Sequence, residues 1–401
     1  MSGHGPLHGL TVLDLSRVLS GPYCTMQLAD MGARVIKIEH PLRGDDTRAW
    51  GPPFVEGESC YFLSINRNKE SVAVDFKTPD GRALVDQLIA QADILVENFR
   101  PGTLGRIGLD YASLSARYPR LIYASISGFG QTGPRRHEAG YDAMVQAEGG
   151  LMSITGHSSA PPVRVGVAIA DIATGMFAVQ GILLALIARA TSGRGQHVDV
   201  GMLDATTALL TYQAQRTFAT GIAPIRLGNR HASIAPYDTF EATDGTLVLS
   251  VGNDEQWQRF CNEAGLPDTA ADPRFLTNDA RVEHYAVLQP IVASAISTDT
   301  LGHWLVRLRA AGVPAGAVRA IDAVLMDAQL AAREMIATVD HPSIGALCVL
   351  GVPVKLSETP GSVRTAPPLL GQHTAAVLQQ DLGVGADQIA ALARAGVLKC
   401  R

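Results

Sequence analysis

Charge is scarce in this chain. Asp, Glu, Lys and Arg make up 18% of its 401 residues, and 33 basic against 38 acidic side chains leave a formal net charge of −5. That balance lacks both the basic surface a nucleic-acid binder needs and the charge excess of a disordered chain. No like-charge block reaches five residues, and nothing repeats at a period of 20–50 residues, which sets aside charged tails and solenoids. The five cysteines (Cys24, Cys60, Cys261, Cys348 and Cys400) are scattered without CxxC or zinc spacing. An odd, unclustered set suits a reducing compartment rather than a disulfide framework, so a cytoplasmic protein is expected. The opening MSGHGPLHG has neither the basic start nor the apolar stretch of a secretory signal. The longest apolar run, from Met176 to Ala190, is interrupted by Gln180 and Gly181. It falls short of the ~18 uninterrupted residues of a spanning helix and reads as a buried helix, so no membrane partner is expected.

Several catalytic signatures are also missing. No GxxxxGK[ST], HExxH, GxSxG or kinase pattern occurs, which removes the usual grounds for phosphoryl transfer, zinc proteolysis and serine hydrolysis. The eleven histidines are dispersed, with no two at ligand spacing on one helical face, so no metal site is expected. His40, His137, His157 and His231 read as surface or loop residues. The string GFGQTG (128–133) matches GxGxxG, but Pro134-Arg135-Arg136-His137 stands where a helix would have to open toward a pyrophosphate. It reads as a glycine-rich turn after a strand.

What is present is a long chain that is 47% hydrophobic, enough for one large domain or two ordinary ones. Residues 10–39 read as strand (TVLDL), turn with Gly21-Pro22, helix (TMQLADMG) and strand (RVIKIE), a βαβ unit. Further strands at ADILVENF and RLIYASISGF each follow a helical pattern, so a parallel α/β sheet is expected to about residue 210. The character changes near Gly228: YDTFEATDGTLVLSV is a hairpin pattern about Asp244-Gly245, followed by helical segments to about residue 325. The expected division is a large domain over 1–210 and 326–401, a linker over 211–225, and a small α+β domain over 226–325.

One acidic residue stands out by setting. Asp171 ends a run of small and apolar residues just before the most hydrophobic helical segment. It reads first as an N-cap, accepting a first-turn N–H, and in the sharper alternative as a semi-buried carboxylate with room for a ligand beside Gly166, Ala168, Ala170 and Gly175. Position alone leaves both open.

A resemblance bears on that choice. VLDLSRVLSGPYCTMQLADMGARVIKIEHPLRGDDTR, LSINRNKESVAVDFKTPDGRALV, DILVENFRPGTLGRIGL, SGFGQTGP, AGYDAMVQAEGG, GVAIADIATGMFA and GRGQHVDVGMLDA resemble, in order, the class III CoA-transferases (the CaiB/BaiF family). The likeness continues through GNRHASIAPYDTF, DPRFLTNDARV and PLLGQHTAAVLQQDLG, so nearly the whole chain is covered. It implies Asp171 as nucleophile, carrying first a mixed anhydride and then a CoA thioester. Acyl-CoA and a carboxylic acid are the implied substrates, with no cofactor besides the CoA thioester itself. Positions matching the family's CoA contacts are Val18, His40, Val74, Lys77, Asn98, Phe99 and Arg106, with Tyr141 and Asp142 near the site. By residue type, Lys77 and Arg106 suit phosphate oxygens, although Lys77 alone reads as a solvated surface lysine.

Two departures from the family pattern matter. Ala139-Gly140 stands where some relatives carry lysine, and Leu19 replaces a glutamine of the formyl-CoA enzymes, which argues against that substrate. The phrasing is closest to members using succinyl-CoA and a dicarboxylic acceptor. The superfamily's racemases carry histidine where Tyr141 stands, which disfavours proton exchange on a 2-methylacyl-CoA; a non-catalytic CoA-binding protein is the other alternative. The family's architecture implies a Rossmann-like large domain from both ends of the chain, a small domain between, and a homodimer of interlocked rings. Its active site would lie between one chain's large domain and the other's small domain. Asn229, Arg230 and His231 of the GNRHASIAPYD phrase are weaker candidates for the acceptor pocket.

Overall fold

The computed structural model describes residues 5–401, which divide into two compact units. The larger contains residues 5–151, 165–211 and 328–401; the smaller contains 152–164 and 212–327. The 211–225 stretch, read from sequence as linker, carries a helix, Thr211–Thr220, with no buried side chain.

The larger unit is built on a seven-stranded sheet. Its order is Leu398–Lys399, Lys69–Val74, Arg34–Glu39, Thr11–Asp14, Ile94–Glu97, Ile122–Ser127 and His197–Gly201. All pairings are parallel except that of Leu398–Lys399, which runs antiparallel to Ala73 and Val74. The five inner strands are buried almost throughout, which explains their rich Val, Ile and Leu content. One core gathers Leu13, Ile36, Val72 and Leu95 with the helices Pro79–Gln91, Thr374–Leu382 and Ala386–Arg394. The other gathers Val12, Val35, Ile94 and Ile122 with Cys24, Leu28, Ala178 and Ile182.

The chain proceeds from Thr11–Asp14 outward in one direction to Lys69–Val74, then crosses back to add Ile94–Glu97 on the other side of the first strand. Such a reversal opens a crevice beyond the carboxyl ends of the two central strands, where ligands of doubly wound sheets bind. Residues 15–20 and 98–101 border that crevice.

The long helix Ile169–Ser192 buries Ala170, Ala173, Thr174, Gly175, Ala178, Ile182, Ala185 and Arg189, and ends on Gly193 in the left-handed region. The sequence reads this segment as buried, and that holds for one face only. Met176, Phe177, Leu183, Leu184 and Ile187 are exposed on the larger unit. By length and composition the helix would span a membrane, but its small-residue face packs on the helix Ser20–Asp30 and the adjoining strands.

The smaller unit has an antiparallel sheet, Ala315–Ala317, Gly245–Ser250 and Tyr237–Ala242, with the hairpin turn at Thr243-Asp244. The helices Asp254–Ala264, Tyr285–Ile296 and Leu301–Ala310 pack Trp257, Phe260, Leu288, Val292, Trp304 and Leu308 against Phe240, Leu247 and Leu249. Asn253 caps the first of these through Gln256 N, and Gly265 ends it in the left-handed region.

Candidate active site

The loop after the first strand is pinned from below by buried charges. Lys37 and Lys69 are both fully buried on neighbouring strands. The Lys37 ammonium lies 2.9 Å from Asp45 Oδ2 and donates to Ser16 O. The Lys69 ammonium meets Asp14 Oδ2 at 3.2 Å and donates to Pro22 O and Asn66 Oδ1. Asp14 also accepts from the Ser16 amide and the Thr25 hydroxyl, and Asp45 accepts from the Val18 and Thr47 amides. Burial raises the Asp45 carboxyl, but Lys37 and Thr47 outweigh it and hold the group down at about 2. From above, Asn98 accepts from Arg17 N at 2.8 Å and donates to Arg17 O at 2.6 Å. This clamp keeps Val18, a β-branched residue, at φ +69, a conformation unfavourable enough to need such support.

The loop delivers Ser20 as the first residue of the helix Ser20–Asp30, where its amide and side chain hydrogen-bond Asp171. Two glycines permit the approach. A Cβ on Gly175, one turn beyond Asp171, would lie 2.7 Å from Ser20 O, and one on Gly21 would lie 2.3 Å from Ser16 Cβ.

Asp171 is not the N-cap. Ala168 holds that position without a side-chain cap, and Asp171 sits in the first helical turn. Its neighbour Asp142 does the capping from another element, accepting from Ala170 N at 2.9 Å and from Gln146 Nε2 at 2.7 Å. The Asp171 carboxylate is therefore left facing the crevice. Burial and the Asp142 charge push its pKa up from 3.8 to about 6, opposed by the hydrogen bonds from Ser20.

The wall opposite is made by backbone against backbone. A Cβ on Gly128 would come within 2.6 Å of Gly140 Cα, and one on Gly140 within 2.3 Å of Gly128 Cα. The GFGQTG turn thus lets the loop carrying Tyr141 and Asp142 close on the end of the strand Ile122–Ser127. No helix follows it until Asp142–Glu148.

Two cavities share this region. One, of about 190 Å³, is lined by Asp171, Ser20, Val18, Asn98, Phe99 and Tyr141, with Arg17 and Arg100. The second, of about 590 Å³, is lined by His40, Val74, Lys77, Phe99 and Arg106, with Arg17 and Arg43. Arg17 and Phe99 border both. The residues matched from sequence therefore fall into two adjoining groups: Val18, Asn98, Tyr141 and Asp171 in the smaller cavity, and His40, Val74, Lys77 and Arg106 in the larger. Asp142 lies behind the first group, bonded to Ala170. Lys77 and Arg106 are exposed at the larger cavity, while Val74 is buried in its wall. The half-buried His40 and the exposed Arg43 line that cavity just after the strand Arg34–Glu39.

The weaker candidates lie in the smaller unit and are engaged there. Asn229 bonds Thr239 Oγ1, Arg230 donates to Val282 O and lies over the Tyr285 ring, and His231 stacks on Tyr237. Among the described residues no group of three or more His, Cys, Asp or Glu is arranged to hold a metal ion.

The CoA-transferase family III model matches residues 7–374. The chain belongs to CoA-transferase family III. This transferase is 46% identical over 388 residues to a succinate–glutarate CoA-transferase of Agrobacterium fabrum, covering 94% of this chain and 95% of the relative. It is 42% identical over 394 residues to a succinyl-CoA:glutarate CoA-transferase of Mus musculus, covering 98% of this chain and 90% of the relative. A crystal structure of a CaiB/BaiF family protein from Brucella suis superposes with a TM-score of 0.85 at 42% identity, covering 94% of this chain and all of the other.

Sequence reasoning missed part of the transferase's candidate site. Tyr61 lies close enough to feel Asp171, and burial followed by the charges of Asp171, Asp142 and Asp45 pushes its phenol up to about 12. It packs edge-on against Trp50 at 5.1 Å, in a patch with Val18, Leu19, Tyr23, Ala168 and Ile172. The Asp14, Lys37, Asp45 and Lys69 network was also unforeseen, although ionisable residues inside otherwise apolar strands (VLDL, VIKIE) were its available signal.

Proposed function

We propose that this transferase moves CoA from succinyl-CoA, or a similar acyl-CoA, to a dicarboxylic acid of four to six carbons, with Asp171 as nucleophile. The observation that carries the reading is the position of the Asp171 carboxylate. It faces a cavity that joins, across Arg17 and Phe99, a larger one bordered by Arg43, Lys77 and Arg106. An acyl thioester reaches Asp171 while the nucleotide phosphates meet cations at the far end of the groove.

An Asp171 oxygen attacks the thioester carbon, the carbon–sulfur bond breaks, and CoA leaves as thiolate with a mixed anhydride on Asp171. The thiolate then attacks Asp171 Cγ, releasing the donor acid and leaving an aspartyl-CoA thioester. The acceptor carboxylate attacks the same Cγ, expelling thiolate and forming a second anhydride. Thiolate attack on the acceptor's acyl carbon completes the new CoA ester and returns the Asp171 carboxylate. No proton, metal or nucleoside triphosphate enters the balance, and the CoA thioester serves as substrate with no separate cofactor. The Ser20 amide and hydroxyl, at a helix N-terminus, orient the carboxylate and favour its charged form. The apolar patch of Leu19, Tyr61 and Ile172 keeps water from the anhydride.

We also propose that the protein works as a homodimer. Met176, Phe177, Leu183, Leu184 and Ile187 are exposed along one face of the helix Ile169–Ser192, and a second copy is the proposed cover.

Hydroxylamine added to protein and succinyl-CoA is expected to convert Asp171 to its hydroxamate, detected by peptide mass. Near wild-type turnover by Asp171→Ala would overturn the assignment. Exchange of an α-proton without CoA transfer would instead favour the racemase chemistry.

A further inference from the structure

Carboxylic acids offered to this site differ in whether they carry a second, unreacting carboxylate. A pocket that selects dicarboxylates needs a cation within reach of the carbon bonded to Asp171. Two arginines line the cavity that holds Asp171, Arg17 and Arg100. In CoA the phosphates are separated from sulfur by the whole pantetheine arm, and Arg43, Lys77 and Arg106 border the larger cavity where they would lie. Arg17 borders both cavities, and unlike Arg43, Lys77 and Arg106 it also shares the lining of the small one with Asp171, where a carboxylate bound beside Asp171 meets it.

Arg17 is the better placed of the two. Its backbone N and O are both held by Asn98, the next amide is held by Asp45, and Ser20, three residues on, hydrogen-bonds Asp171. Its guanidinium is oriented by Asp46, which accepts from Nη1 at 3.1 Å, and by the Phe99 ring, whose centre is 5.2 Å away. One Asp46 contact leaves most of the five N–H donors of the fork uncommitted, and Arg17 Nε has no hydrogen-bond partner among the described residues. Arg100, which lines the same cavity, is exposed. We propose that Arg17 is the specificity-determining residue that binds the unreacting carboxylate of a dicarboxylic substrate, a proposal that rests on the transferase reading above.

The test is an internal competition. Wild type, Arg17→Gln, Arg17→Lys and Arg100→Gln are each given succinyl-CoA with glutarate and butyrate in one vessel, and the ratio of glutaryl-CoA to butyryl-CoA is read by mass. Both products share the donor step, so the ratio is insensitive to losses in CoA binding or folded fraction. Arg17→Gln is expected to lower the ratio at least ten-fold. Arg17→Lys should recover part of it, and Arg100→Gln should leave it within two-fold of wild type. A ratio unchanged in Arg17→Gln, whatever the total rate, overturns the proposal, as does a fall seen only in Arg100→Gln. If wild type transfers CoA to neither acid, the succinyl-CoA and dicarboxylate reading fails, and this proposal with it.

Discussion

Asp171 carries a conflict between what stabilises the fold and what the chemistry requires. Burial and the charge of Asp142 hold its pKa at about 6, above the 3.8 of a free side chain. The folded chain thus binds this proton more tightly than the unfolded one. The group's contribution to stability declines as pH rises from about 4 to about 6 and is unfavourable at neutrality. Asp171→Asn is therefore expected to abolish transfer while raising the melting temperature at pH 7.5 by a few degrees, and the gain should vanish at pH 4. Calorimetry at the two pH values checks this. In its proposed role as nucleophile, Asp171 would set the acid limb of activity: kcat/KM should fall about ten-fold per pH unit below about 6, as the carboxylate takes up its proton.

At the scale of elements, the site is two loops clamped to the ends of parallel strands, and each clamp can be broken separately. Asn98→Ala removes both bonds to the Arg17 backbone and frees Val18 from its left-handed conformation. We expect kcat to fall more than ten-fold with a loss of about 1–3 kcal/mol in denaturant unfolding. Gly140→Ala drives a methyl into the Gly128 backbone, which cannot yield as a side chain tip would. Its expected cost is about 3 kcal/mol or more, together with displacement of Tyr141 and Asp142. These clamps also mark where sequence reading stops. The βαβ alternation, the hairpin near Asp244 and the acidic residue at the start of the long helix were legible, because periodicity and turn chemistry are local. The Gly128–Gly140 contact and the Lys37–Asp45 pair were not, because each depends on how separate segments meet. Asp171 itself was ambiguous for the same reason: the group that caps its helix is Asp142, 28 residues before the Ala170 amide it accepts from.

At the scale of the whole molecule, the exposed aliphatic side chains of the long helix decide how the protein behaves in solution. Light scattering after size exclusion is expected to give twice the 42.4 kDa chain mass. Leu184→Glu combined with Ile187→Glu should shift it toward monomer and lower activity together. A monomeric wild type at micromolar concentration would refute the proposed dimer. The resemblance carried the large-scale organisation further than composition could, since a sheet made from both halves of a chain leaves no mark in residue counts. The mean charge was equally uninformative about Arg43, Lys77 and Arg106, whose effect comes from facing one cavity.

The strand Leu398–Lys399 pairs with Ala73 and Val74, and Val74 lies in the wall of the larger cavity. During synthesis, therefore, the sheet edge beside that cavity stays open while more than 300 further residues are made. The smaller unit, whose segments all precede residue 328, is complete before then. The order of translation thus gives the nascent chain a finished small unit while the larger cavity still borders an unpaired β-edge, the interval in which a chaperone would have most to protect.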